Sequence, residues 1–230
     1  GMFDGAALRA QMRDPLDRHE PRSRLVMVEQ TTNLGGGRVW PAAKIEEVLG
    51  VAAEFGLRTH LDGARLMNAV VASGVSAADY AKGFETAWID FSKGLGAPVG
   101  ACLAGPDALI AEAWRYKQML GGSMRQAGIV AAGARHGLQH NVERLAEDHA
   151  NAKFLAEGLA EIDGVEIDPT TVETNIVIFD VADAAKLHDD LRAAGVETSL
   201  LEGRLRMVTH LDVDRKAIET AIAAVSDALS

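Results

Sequence analysis

Between Leu25 and Met119 short apolar runs alternate with helix-length segments, and this rhythm constrains the fold more than any other feature of the chain. Leu25-Val26-Met27-Val28 is a fully apolar strand that ends in the turn-rich tract Thr31 to Gly37. Pro41 then opens a helix to Phe55, with Gly56 just past its end. Arg58 to Leu61 reads as the next strand, stopped by Asp62-Gly63, and helices follow over Ala64–Ser73 and Ala77–Ala81. Further strands are expected over Thr86–Phe91 and Val99–Ala104, and Pro106 starts a helix to Met119. A short helix, Ala6–Arg13, precedes this series. Strand and helix in such alternation imply right-handed crossovers and a largely parallel sheet, the α/β class.

The pattern then changes. Met124 to Ile162 is helical almost throughout, divided by Gly133, Gly137 and Gly158. Strands are expected at Val165–Ile167, Asn175–Phe179, Val196–Ser199 and Leu205–Val208, with helices at Ala182–Ala194 and Arg215–Leu229. The division that follows is a large α/β domain over residues 1–125, connecting helices over 126–162, and a small α+β domain over 163–230. With 230 residues, 48% of them hydrophobic, there is ample chain for a core.

Charge and composition narrow the function. A net charge of −10 argues against nucleic acid, which demands a basic face. No apolar run reaches the ~18–20 residues of a membrane span. The amino terminus lacks the basic and apolar stretches of a signal peptide, and one cysteine, Cys102, excludes a disulfide framework or a cysteine-rich zinc site. A cytoplasmic protein is therefore expected. His136 and His140 have the i, i+4 spacing of a helical metal pair, but no carboxylate ligands accompany them, so they and His149 are read as packing or solvated residues and no metal is expected. Met119, Met124 and Met207 are read as core filler.

Ligands of open parallel sheets bind beyond the carboxyl ends of the strands. Two such ends carry reactive groups, Asp62 and Lys93. Asp62 before Gly63 suits a cap or turn as well as a site. The order Ser92-Lys93-Gly94 is not that of a P-loop. Lys93 instead follows the apolar run Ala87-Trp88-Ile89, and Gly94, Gly96 and Gly100 come after it; small residues there let a flat ligand approach the backbone. A lysine in an apolar pocket has a depressed pKa and offers a neutral amine for condensation with an aldehyde. An aspartate one strand–helix unit earlier suits a protonated pyridine nitrogen.

The runs His60-Leu61-Asp62-Gly63-Ala64-Arg65-Leu66-Met67-Asn68-Ala69 and Ser92-Lys93-Gly94-Leu95-Gly96-Ala97-Pro98-Val99-Gly100 resemble the low-specificity L-threonine aldolases and their relatives, the β-eliminating lyases. Gly121 to Gln126, Glu147-Asp148-His149 and Leu205 to His210 add to the resemblance, which runs from about His19 to the end. It implies a pyridoxal 5'-phosphate enzyme of aspartate-aminotransferase-like fold type I, a lyase of amino acid metabolism acting on a small amino acid, and a homo-oligomer, dimer or tetramer. Lys93 would condense with the cofactor aldehyde and Asp62 would keep the pyridine nitrogen protonated. Arg65, in the cofactor region, and Arg206 would bind the substrate carboxylate, and His19 would face the substrate hydroxyl. Arg125 matches a position near the cofactor or a subunit boundary.

The chain departs from the resemblance in one large respect. Family members begin with a further stretch that carries the phosphate-binding loop and a ring stacked on the pyridine, so the large domain is expected to be partial. Thr32 stands where some relatives have histidine. Three readings follow: aldol cleavage of a β-hydroxy-α-amino acid, β-elimination, or a silent remnant that serves as a structural or interaction protein.

Overall fold

The computed structural model describes all of residues 1–230. Its first sheet holds β1 (Leu25–Glu29), β2 (Arg58–Gly63), β3 (Thr86–Asp90) and β4 (Ala101–Ala104), in the order β1-β2-β3-β4. The first three strands are parallel, joined through α2 (Ala42–Glu54) and through α3 (Leu66–Ser73) with α4 (Ala77–Ala81). β4 runs antiparallel to β3. Only residues 91–100 link those two strands, too few for the dozen or more that a parallel crossover needs.

Side chains on the strands alternate between two faces. Val26, Val28 and Leu61 point inward and form a buried cluster with Trp40, Ile45, Val48, Val51 and Ala52. α1 (Gly5–Ala10) caps this layer: its Gly5 N–H donates to Glu47 Oε1 at 2.9 Å, and Leu8 joins the cluster. The register of β1, β2 and β3 puts Glu29, Asp62 and Trp88 in one row on the opposite face, at the carboxyl ends of their strands. That face is open. Leu25 and Met27 are more than half exposed.

α5 (Asp107–Met119) follows β4 and has no buried residue. Met119 and Met124, expected in a core, are therefore exposed, beside exposed Trp114, Tyr116, Leu120 and Ile129. Met207 is buried as expected. The expected long helical stretch divides into α6 (Gly128–His140) and α7 (Leu145–Ala160).

The second sheet comprises β5 (Val165–Glu166), β6 (Ile176–Val181), β7 (Ser199–Leu201) and β8 (Arg204–Val208), antiparallel throughout in the order β5-β6-β8-β7. α7, α8 (Ala184–Ala193) and α9 (Arg215–Leu229) bury its inner face around Leu155, Leu159, Phe179, Leu191, Leu205 and Val225. β7 begins three residues later than the strand expected at Val196. Val196 N–H closes the end of α8 on Leu191 O at 2.8 Å, after Gly195 at φ +81°, so the cap consumes the residues that read as strand.

Two glycines should respond in opposite ways. A Cβ at Gly63 would collide with the Trp88 carbonyl in the neighbouring strand, so Gly63→Ala should cost about 1–3 kcal/mol. Gly50 lies inside α2 with open space where a Cβ would go, and Gly50→Ala should gain about 0.5–1 kcal/mol. Urea unfolding of the two variants checks both signs.

Candidate active site

Lys93 sits in the β3–β4 connection, on the open face of the first sheet. Its ammonium pairs with the Asp90 carboxylate and lies 5.5 Å from the Trp88 ring centroid. Trp88 is the register partner of Asp62, so the indole beside the amine and the Asp62 carboxylate share one face. The side chain of Lys93 is 35% exposed and ion-paired, unlike the apolar pocket expected for it. The cause is Asp90, three residues earlier at the end of β3. Burial by itself would raise the Asp90 carboxyl, but hydrogen bonds from Lys93 and Ser92 outweigh it and hold the group below the usual carboxylate range.

Asp62 Oδ1 accepts from Ala64 N–H at 3.0 Å. This tight turn delays α3 to Leu66, two residues later than the sequence suggests, and leaves Arg65 at its cap position. Burial first, then the nearby Arg206 charge, lower the Arg65 pKa, against the attraction of Glu29, Asp90 and Asp62. Arg206 on β8 is lowered by burial and raised by Glu29. Both remain cations, as guanidiniums do in proteins. Arg206 Nη2 donates to Asn33 Oδ1 at 2.9 Å, and Arg65 Nη1 reaches the same oxygen at 3.4 Å. Arg206 Nε is buried without a partner.

A cavity of about 470 Å³ opens beside Lys93, lined by Arg65, Lys93, Gly94, Gly96, Asn175 and His210 among others. Its size falls in the range of small-molecule sites. Its walls come from both sheets. The β1–α2 loop holds the two together: Thr174 Oγ1 donates to Gly37 O at 2.5 Å, and Glu173 accepts from Val39 N–H at 2.7 Å.

The Glu147-Asp148-His149 run supports the loop of Lys93 from beneath. Asp148 is fully buried, pairs with Arg144 at 2.7 Å, and its carbonyl accepts from Thr209 Oγ1 at 2.6 Å. Asn68 on α3 meets His149 Nε2 at 3.1 Å. Burial lowers the His149 pKa to about 4, so at neutral pH the ring is uncharged and Nε2 accepts the Asn68 amide. Gly94 packs against both elements, since a Cβ there would meet Leu145 and Asn68.

His19 does not join this cluster. It lies in the exposed loop before β1, next to Glu20, which pairs with Arg13 at 3.2 Å. Residues of that loop share the lining of one surface hollow with Phe55, Gly56 and Leu57, where β2 begins. His19 therefore sits at the amino ends of strands whose carboxyl ends carry the site. Within the chain, the parallel direction of β1 and β2 thus keeps His19 away from the cavity that Lys93 lines. The histidine on the cavity wall is His210. Its Nδ1 faces Asp212, 3.3 Å from the backbone N–H and 3.5 Å from Oδ2. Asn33, Glu29, Asp90 and His210 were all missed as site residues by sequence reasoning. His210 ends the run Leu205–His210, and Asn33 lies in the turn-rich tract Thr31–Gly37, which reads as a turn. Among all residues, no group of three or more His, Cys, Asp or Glu side chains could hold a metal ion.

Comparison with known proteins fits this arrangement. The family model of the beta-eliminating lyases matches residues 1–184. The chain belongs to the beta-eliminating lyase family. Within that family it is 34% identical over 236 residues to low-specificity L-threonine aldolase 1 of Arabidopsis thaliana, covering 100% of this chain and 66% of that one. It is 38% identical over 211 residues to the low specificity L-threonine aldolase of Escherichia coli K12, covering 91% of this chain and 61% of its relative. The chain thus spans roughly three fifths to two thirds of these relatives' length. The threonine aldolase structure of Leishmania major superposes with a TM-score of 0.78 at 18% identity, over 99% of this chain and 68% of that one. A PLP-dependent aminotransferase of Streptococcus suis gives 0.75 at 16% identity, over 99% and 61%. The fold is therefore that of the fold type I pyridoxal-phosphate enzymes, as the sequence leads one to expect. No helix is long and apolar enough to cross a membrane.

His149 makes stability depend on pH in a defined window. An unfolded histidine takes its proton near pH 6.5, while the folded ring resists until about pH 4. Its contribution is complete above the unfolded value and is lost as the pH falls between the two. Over that window it amounts to up to about 3 kcal/mol. His149→Gln keeps a partner for Asn68 and should remove this dependence: urea midpoints of parent and variant should differ more at pH 7 than at pH 4.5.

Proposed function

We propose that this chain is the larger part of a pyridoxal-phosphate-dependent carbon–carbon lyase that splits a β-hydroxy-α-amino acid, threonine by type, into glycine and an aldehyde. The observation that carries the reading is the cavity lined by Lys93 and Arg65, with Arg206 meeting Arg65 on the Asn33 oxygen and Asp62 in register with Trp88, the ring beside the Lys93 amine. The residues present fit the cofactor by their chemistry. An amine stands beside an indole face, a carboxylate ends the adjacent strand, and a buried guanidinium nitrogen, Arg206 Nε, has no partner. Bound there, pyridoxal phosphate would supply an electron sink for the bond that breaks.

The chain's own groups then divide the remaining work. Lys93 is the amine that holds the cofactor, and its release from Asp90 frees the nitrogen to do so. Asp62 keeps a proton on the pyridine nitrogen through charge complementarity. Arg65 and Arg206 bind the substrate carboxylate in the forked geometry that suits it. With His19 apart from the cavity within the chain, the β-hydroxyl proton falls to His210 on the cavity wall. Gly96 and Ala97 leave the wall beside Lys93 low enough for a flat ligand.

The β-eliminating alternative is separated by product: threonine yields acetaldehyde and glycine in one case, a keto acid and ammonia in the other. The reading as a silent binding chain draws on the open face of the first sheet. Retention of cofactor after dialysis, together with product formation, speaks against it. Borohydride reduction of the chain with added cofactor should leave a stable mass gain on the parent and none on Lys93→Ala. An equal gain on the variant removes Lys93 from its role. His210→Asn should lower kcat by about 10²-fold with the mass gain intact.

A further inference from the structure

The loop from Thr31 to Val39 carries a polar arrangement that the steps above leave without a task. Asn33 Oδ1 stands where two guanidiniums meet, accepting from Arg206 Nη2 at 2.9 Å and Arg65 Nη1 at 3.4 Å. Two converging arginines ordinarily share a carboxylate, whose charge-assisted bonds are roughly twice as strong as those of a neutral acceptor. Here the shared acceptor is an amide. Glu29, which attracts both cations, spends Oε2 on the Asn33 backbone N–H at 2.8 Å. Arg206 Nε stays buried with no acceptor at all.

The loop that carries Asn33 is held in place from several directions. Buried Gln30 closes the base of the loop by bonding both the N–H and the carbonyl of Trp40, at 3.0 and 3.2 Å. Thr32 and Arg38 bridge it at 3.0 Å. Thr174 and Glu173 pin Gly37 and Val39 from the other sheet.

We propose that Asn33 is a resident stand-in for the α-carboxylate of the substrate, keeping Arg65 and Arg206 aimed at one point and yielding both to the incoming carboxylate. The proposal rests on the reading of the cavity as an α-amino acid site. A neutral oxygen gives the two cations enough of a partner to hold their direction, yet brings no charge of its own and leaves Nε unfilled. A carboxylate supplies both the charge and the second acceptor, so the exchange runs toward the ligand. Asparagine is therefore a specificity-setting choice: an aspartate at the same place would neutralise the site from within.

Acetate, a carboxylate with neither amine nor hydroxyl, is the probe, titrated into the chain without cofactor and followed by ¹H–¹⁵N NMR. The Nε–H signals of Arg65 and Arg206 and the side-chain amide of Asn33 should move together with one Kd, while acetamide moves none of them. In Asn33→Asp the arginine signals should start where acetate drives them in the parent, with the acetate Kd raised about tenfold or more. If both arginines respond and the Asn33 amide stays fixed, the exchange is refuted while the amino acid reading of the cavity stands. Arginines that ignore acetate refute it too, whatever Lys93 does with cofactor, and so does an Asn33→Asp variant that binds acetate as the parent does. Should that variant fail to fold, the parent's own Asn33 amide decides.

Discussion

The parallel register of β1, β2 and β3 is the constraint on which the site depends. Sliding β2 by one residue against either neighbour would turn Asp62 into the helical layer and Leu61 out to solvent. Burial of Val28 and Leu61 therefore fixes where Glu29, Asp62 and Trp88 must point. Each leucine or valine pressed against α2 thus positions a polar neighbour on the other side, and the chemistry inherits its alignment from the packing. Gly63 permits this closeness, since only a residue without a side chain fits against the Trp88 carbonyl at that point.

A second device joins the two sheets. The β1–α2 connection is no slack linker: Gln30 and Trp40 close its ends, and its middle reaches residues on both sides of the cavity. Below the site, α7 performs the matching task, with Asp148 tied to Thr209 and His149 to Asn68. The cavity between Lys93 and His210 is thereby held from both sides by polar bonds that are buried or partly buried. Nothing comparable covers the outer side of the first sheet or α5, where apolar groups meet solvent.

Much of this was legible in the residues themselves. Apolar runs of strand length, Pro at helix starts and Gly at their ends located nearly every element, because those signals arise from local backbone preference and burial. Strand direction was not local. That β4 turns back against β3 follows from the shortness of residues 91–100, and that β7 starts late follows from the cap on α8. Lys93, Asp62, Arg65 and Arg206 stood out through runs that carry a family likeness. The ion pair of Lys93 with Asp90 did not, since i, i+3 proximity in a loop depends on a turn no pattern announces. Asn33 lay hidden in a glycine-rich tract that reads as an ordinary turn, and its partner Arg206 is far away in sequence. His19 stands apart from the cavity within the chain, because the strand after it runs towards the site and leaves it at the opposite end.

The chain's three tryptophans sit in three distinct surroundings. Trp40 is sealed in the interior, edge-on to Phe3 at 5.0 Å. Trp114 is turned to the solvent with Lys117 over its ring. Trp88 alone has the Lys93 amine beside its ring, 5.5 Å from the centroid. The molecule thus carries its own optical gauge: light emitted by that one indole changes when anything settles on it, while the other two register global melting and outer-surface quenchers.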